Sequence, residues 1–295
     1  MILNVSGRTD IVAFYTKWFM NRYHEGFVDV RNPFYQKQVS RIYFKDVDLI
    51  VFCTKNPKPI IKYLKEIDKT IIFHITLTPY KKDLEPNIID KKEIIESIKE
   101  ISKIIDKDNI YLRYDPIILN DKYNINYHIK AFTRICELLD GYINHIIVSF
   151  VDNYKNVQKN YEYLKYHDPT NEELKLIGTN FSMIAGKHHM SVQTCSEYNN
   201  LTEYGFIKSD CISKELAKKL TGKTYKRWLS RNNRYCNCVE MVDIGAYNSC
   251  NHLCKYCYAN YDENKIHDNI CNHDDTSTML IGKLSSDDII KERRQ

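Results

Sequence analysis

No apolar run in these 295 residues reaches the roughly 18 needed to cross a bilayer, so the sequence holds no candidate transmembrane helix. Nothing near the N-terminus reads as a signal peptide: residues 1–5 are apolar, but Arg8 and Asp10 end the run at once. Blocks of like charge are missing too, and the formal charge is only +5. That balance offers no basic arm for a polyanion and argues against a nucleic-acid partner. Together these absences predict a cytoplasmic protein with no membrane partner.

What is present fits a globular chain, with 43% apolar and 27% charged residues. The length suits one large α/β domain or two modest ones. Ten cysteines are many for a cytosolic protein. In that compartment they point to metal ligation rather than to disulfides. Most of them fall after residue 190, which places the metal chemistry in the last third.

Short apolar runs at 2–5, 48–53, 70–76, 110–114, 145–150 and 190–194 read as strands. Helical periodicity at 11–23, 59–67, 91–105, 127–139 and 171–185 alternates with them. The alternation predicts an α/β fold with a parallel sheet and right-handed crossovers, closed or partly closed into a (β/α) barrel. A last strand is expected at 239–244. The barrel is expected to span 1–260, with a cysteine-rich region at 190–260 and a partly helical tail at 261–295.

Each expected strand runs into a polar cluster: Ser6-Gly7-Arg8-Thr9-Asp10, Thr54-Lys55-Asn56-Pro57, Thr76-Leu77-Thr78-Pro79, Arg113-Tyr114-Asp115-Pro116, Ser149-Phe150-Val151-Asp152 and Gln193-Thr194-Cys195-Ser196-Glu197. Ligands of parallel α/β folds bind at this edge. Arg113, Asp115, Asp152, Glu197, His74 and Lys55 are therefore candidate substrate contacts. Helix capping is the competing explanation, above all for Asp10 and for Asn56-Pro57. His74 could equally be a hydrogen-bonded core histidine.

Three cysteines, Cys250, Cys254 and Cys257, are spaced C-x3-C-x2-C. Three thiolates can hold three irons of a [4Fe–4S] cluster and leave the fourth open. An open iron can chelate the amino and carboxylate groups of S-adenosylmethionine (SAM). The competing assignments are a zinc knuckle using Cys254 and Cys257 with two other thiolates, and plain core cysteines. Cys195, Cys211, Cys236 and Cys238 form a second set, able to hold an auxiliary iron–sulfur cluster or a zinc ion. Arg231, Asn232 and Arg234 beside it suggest a loop. Cys53 and Cys136 read as buried small hydrophobes.

With Tyr256 before its third cysteine, the first set resembles the C-x3-C-x-aromatic-C signature of radical SAM enzymes, in which the aromatic packs beside the adenine. Ser-Gly-Arg-Thr-Asp-Ile at 6–11, Thr-Lys-Asn-Pro at 54–57, Arg-Tyr-Asp-Pro at 113–116, Ser-Phe-Val-Asp at 149–152, Asp-Ile-Gly-Ala-Tyr-Asn-Ser-Cys at 243–250 and Tyr-Cys-Tyr-Ala at 256–259 widen the likeness. Together they resemble a bacterial family of radical-SAM-like proteins whose cluster motif is C-terminal. The resemblance covers residues 2 to about 260. It implies a circularly permuted barrel with the cluster loop after the last strand. Ser6, Gly7, Arg8 and Asp10 would then hold SAM. It also implies a lyase that releases 7-aminomethyl-7-deazaguanine from queuine by radical C–N cleavage, for salvage into tRNA queuosine. The electron donor would be a flavodoxin or ferredoxin. Cys53 stands where that family often has tryptophan. Two rival functions are a radical SAM lyase of nucleic-acid lesions and a zinc-stabilised binding module without catalysis.

Overall fold

Apolar runs that alternate with helices become parallel strands in a computed structural model, which describes all residues except 196, 229–235 and 294–295. The strands are β1 Ile2–Asn4, β2 Phe27–Arg31, β3 Gln38–Tyr43, β4 Leu49–Thr54, β5 Thr70–Thr76, β6 Ile110–Ile117, β7 His145–Phe150, β8 Ser191–Thr194, β9 Met241–Asp243 and β10 Ile289–Glu292. Seven of them form one parallel sheet in the order β8-β7-β6-β5-β4-β1-β9. All seven coincide with expected strands to within a few residues. Arg231, Asn232 and Arg234 lie outside the described residues.

The helices are α1 Ile11–Phe14, α2 Thr16–Glu25, α3 Lys91–Ile101, α4 Ile125–Leu139, α5 Lys155–Lys159, α6 Tyr161–Leu164, α7 Asn171–Lys187, α8 Lys214–Thr221 and α9 Glu263–Cys271. The expected helix 11–23 is broken at Tyr15, whose hydroxyl donates to the Ser249 carbonyl at 2.6 Å. The expected helix 59–67 is a 3₁₀ helix, Lys58–Glu66. Pro57 and Pro59 lack N–H donors, so its first turn cannot close normally.

Strand alternation sorts the sheet's side chains into two faces. One carries Leu3, Ile50, Phe52, Phe73, Ile75, Leu112, Tyr114, Ile146, Val148 and Val242. It packs against Trp18 and Phe19 of α2, Ile94 and Ile98 of α3, Phe132 of α4 and Phe181 of α7, forming the main core. Phe132 and Phe181 stack with ring centroids 3.8 Å apart. The other face is apolar only along its first half, where Ile2, Leu49, Val51, Ile72, Tyr111, Ile147 and Met241 form a second cluster. Toward the strands' carboxyl ends that same face carries Asn4, Cys53, His74, Arg113, Asp115, Ser149, Gln193 and Asp243.

Two elements lay outside the expected pattern. β2 and β3 form an antiparallel hairpin, its turn held by Asn32 Oδ1 accepting from the Phe34 amide at 2.9 Å. The C-terminal segment is docked: β10 runs parallel to β3, and Trp18 Nε1 donates to the Ser277 carbonyl at 2.8 Å.

Candidate functional site

The sheet order sets β9 beside β1, so the loop after β9 meets the loop after β1. Asp243, at the end of β9, joins them. Its carboxylate accepts from the amides of Gly7 at 3.2 Å and Gly245 at 2.8 Å, and from Arg8 Nε at 2.8 Å. Gly7 is required by this approach: a Cβ there would lie 2.7 Å from Asp243 Oδ2. The Tyr258 hydroxyl donates to the Gly7 carbonyl from the far side. Ser6 caps the following turn, its Oγ accepting from the Ile11 amide at 3.2 Å.

Asp10 is a hub rather than a surface acid. It caps α1 through the Ala13 amide at 2.9 Å. Its second oxygen accepts from Thr54 Oγ1 at 3.0 Å, the Lys55 amide at 2.7 Å and His252 Nε2 at 2.9 Å. One buried carboxylate thus ties the ends of β1 and β4 to the cysteine loop. His252 Nδ1 is buried with no partner.

Glu85 makes the second tie. It is buried, and it accepts from Lys55 Nζ at 2.9 Å, from Thr78 Oγ1 at 2.5 Å, from Lys91 and from the hydroxyl of Tyr256. Burial pushes its carboxyl up, but Lys55 and Lys91 outweigh burial and hold it at about 2. Lys55 Nζ also lies 5.4 Å from the centre of the Tyr256 ring. Lys55 therefore faces the cysteine loop. Tyr256 is 8% exposed, packed edge-on against Tyr80.

The loop bearing Cys250, Cys254 and Cys257 is shaped by side chains that reach its backbone. Asn260 Nδ2 donates to the Cys250 carbonyl and Asn156 Nδ2 to the Cys257 carbonyl, each at 2.5 Å. Asn248 and Leu253 take positive φ angles of 53° and 57°, a left-handed conformation that costs non-glycine residues energy unless neighbours hold it. Cys250 and Cys254 are buried and Cys257 half-buried. Burial first, then the charge of Asp10, then those of Cys257 and Cys254, raise the Cys250 thiol well above its usual value. Burial likewise pushes Cys254 up to about 12, against the opposing pull of Lys55. The Ala259 amide donates to Cys257 Sγ at 3.4 Å.

Among the described residues, no three Cys, His, Asp or Glu side chains are grouped to hold a single ion. A mononuclear knuckle at Cys254 and Cys257 therefore lacks its ligands. A cuboidal cluster makes a different demand, because each thiolate binds a different iron. Two buried thiols and one half-buried thiol on one loop, an amide donor to sulfur and two lysines near Cys254 suit that demand.

The other expected contacts separate. Arg113 Nε and Asp115 form an ion pair at 3.0 Å on the polar face, and Arg113 Nη1 reaches Cys211 Sγ at 3.5 Å. His74 is buried, with Nε2 unpartnered. Burial, then Arg113, hold its imidazole well below the usual value, so it is neutral. Glu197 clamps loops, accepting from the Phe150 amide at 2.9 Å and from Asn199 Nδ2 at 3.0 Å. Asp152 is exposed on the rim, where it accepts from the Tyr154 hydroxyl at 3.0 Å. Cys195 and Cys211 form a disulfide, contrary to the expectation that the cysteines are unbridged, and Cys236 and Cys238 lie in the same apolar cluster. Glu85, Lys91, Asn156, Asn260 and Gln193 were not singled out as site residues by sequence reasoning. Two of them carried a signal: Gln193 opens one of the polar strand-end clusters, and Asn260 lies two residues past Tyr258 beside the motif.

No helix among the described residues is long and apolar enough to span a membrane. No curated protein and no solved structure matches the chain. A family model matches residues 2–259, from β1 through the cysteine loop, so the chain belongs to the family described as a domain of unknown function, DUF1848.

Proposed function

We propose that this protein is a radical SAM lyase acting on queuine, a queuine lyase. The observation that carries the reading is the convergence of the cysteine loop and the polar strand ends on one edge of the sheet, through Asp10 and Glu85. The unreversed order of β1 and β4 to β8, with α2, α3, α4 and α7 on one face, supports reading the sheet as a barrel or partial barrel. The loop after β9 would then occupy a circularly permuted cluster position.

Cys250, Cys254 and Cys257 would hold the [4Fe–4S] cluster, and the backbone around Ser6, Gly7 and Arg8 would receive SAM. When bound and given an electron by a flavodoxin or ferredoxin, the pair would supply hydrogen-atom abstraction at the cyclopentenediol of queuine. Cleavage of the C–N bond would release the ring as a separate five-carbon fragment, and one electron and one proton would complete the amine of 7-aminomethyl-7-deazaguanine. The chain's own residues bind, orient and exclude water. Asp115 accepts from the N1–H and exocyclic amine of the base. His74 Nε2 and Gln193 Nε2, both buried without partners, offer donors to its carbonyl and ring nitrogen. Lys55, held by Glu85, keeps a positive charge beside Tyr256 and Cys254.

The test is anaerobic incubation of iron-reconstituted protein with SAM, a reductant and a panel of 7-deazaguanines, read by mass spectrometry. Release of 7-aminomethyl-7-deazaguanine from queuine, with 5′-deoxyadenosine, is expected. SAM cleavage that no deazaguanine stimulates would overturn the substrate.

A further inference from the structure

The second cysteine set borders the polar face through Arg113, and its geometry is informative. Two stretches of chain run side by side there. The Asn237 amide donates to Asp210 Oδ1 at 3.0 Å, and the Val239 amide donates to the Ile212 carbonyl at 3.0 Å. The pairing sets Cys238 level with Cys211. Cys211 is bonded to Cys195, with Cα atoms 6.0 Å apart. Cys236 is two residues before Cys238, the spacing that puts side chains on one side of an extended chain. All four are at most 9% exposed and belong to one apolar cluster with Ile212, Ala217, Val239 and Met241.

Core packing alone does not explain this set. An apolar cluster gains nothing from concentrating sulfur, and it would not aim an arginine at it. Here Arg113 Nη1 lies 3.5 Å from Cys211 Sγ. A cation fits an anionic sulfur, which a metal-bound thiolate supplies and a disulfide does not. Four thiolates at one place are the donor set of a tetrahedral zinc ion. At a zinc–sulfur distance of about 2.3 Å, neighbouring sulfurs stand about 3.8 Å apart, a separation that Cα atoms 6.0 Å apart allow.

We propose that Cys195, Cys211, Cys236 and Cys238 form a thiol-gated zinc site, closed by the disulfide in the oxidised protein and filled when the disulfide is reduced. With the bridge closed, no three candidate ligands among the described residues are grouped for an ion. Reduction by a dithiol moves two electrons: the Cys195–Cys211 bond breaks, two thiols form, and the dithiol becomes a disulfide. Zinc then displaces the four thiol protons. The resulting dianionic centre draws Arg113 away from Asp115 and so sets how freely Asp115 meets a ligand on the polar face. The site is independent of the loop at 250–257, so either can fail alone.

The experiment uses the full chain without iron reconstitution, cobalt(II) as the spectroscopic probe and zinc as the competitor, with and without dithiothreitol. Reduced protein is expected to bind one cobalt with the charge-transfer and d–d bands of a tetrahedral four-thiolate site, displaced by zinc. Cys236→Ser and Cys238→Ser should lose that signal, while Cys254→Ser keeps it. Alkylation of the folded wild type, mapped by mass spectrometry, needs no variant to fold. Zinc should protect these four cysteines after reduction, and without reductant Cys195 and Cys211 should appear as a linked peptide pair. Equal alkylation with and without zinc, a cobalt signal unchanged in Cys236→Ser and Cys238→Ser, or an iron–sulfur chromophore assembling on these four in place of zinc would overturn the proposal.

Discussion

The two sets of cysteines are built in contrasting ways. Cys250, Cys254 and Cys257 lie in a loop past the carboxyl ends of the strands, shaped by polar side chains from elsewhere: Tyr15, Asn156, Asn260, and Asp10 and Glu85 through His252 and Tyr256. Cys195, Cys211, Cys236 and Cys238 lie in an apolar cluster, held by backbone pairing and a covalent bridge. The first loop takes its shape from side chains outside it. The second depends on its own sulfurs for shape. The difference teaches that a loop shaped from outside suits a group that must leave one coordination position open, whereas a self-closing site suits an ion enclosed on all sides.

The sharpest way to break this contrast is to remove one loop thiol. Cys250→Ala, Cys254→Ala or Cys257→Ala should each abolish SAM cleavage with the fold intact by circular dichroism. A variant that cleaves SAM at the wild-type rate with undiminished cluster absorbance removes that cysteine from the ligand set.

The next largest effect concerns the brace. Glu85→Gln leaves Lys55 and Lys91 without their buried partner, and should cost about 3–5 kcal/mol in chemical denaturation. The sign of the pH dependence follows from the carboxyl at about 2 against an ordinary value of 4.5. A group held low stabilises the fold above its unfolded value and loses that contribution as pH falls through its folded one. Wild-type stability should therefore drop between about pH 5 and about pH 2 more steeply than that of Glu85→Gln. Equal slopes would mean that Glu85 is not the brace.

Asp115→Asn tests the polar face. Loss of a charge-assisted pair costs about 1.5–3 kcal/mol, one to two decades in affinity for a 7-deazaguanine by titration calorimetry. SAM cleavage without substrate should persist. Unchanged affinity would leave Asp115 as a partner of Arg113 alone. The smallest expected effect is Gly7→Ala, about 1–3 kcal/mol by denaturation, because the new Cβ meets the Asp243 carboxylate. A neutral result would show that the loops after β1 and β9 can part.

β4, β5 and β7 were legible because each is a dense apolar run. Cys250, Cys254 and Cys257 stood out because their C-x3-C-x2-C spacing is local. Glu85 was not: it lies in an ordinary loop, Asp83-Leu84-Glu85-Pro86, and matters only because folding sets Lys55, Lys91 and Tyr256 around it. The hairpin of β2 and β3 escaped because its strands carry charged Asp29, Arg31 and Arg41. Arg41 Nε and Asp29 pair at 2.8 Å, which no local pattern announces. Asp10 was readable as a helix cap, but its bond to His252 spans 242 residues of sequence.

The most direct test of the central claim, a three-cysteine cluster with one open iron, is electron paramagnetic resonance of the reconstituted, reduced protein before and after addition of SAM. The account predicts a reduced [4Fe–4S] signal, from about four irons per chain, that shifts when SAM binds the open iron. A cluster signal that SAM leaves unchanged, or a folded protein that takes up no iron under reconstitution, would contradict it.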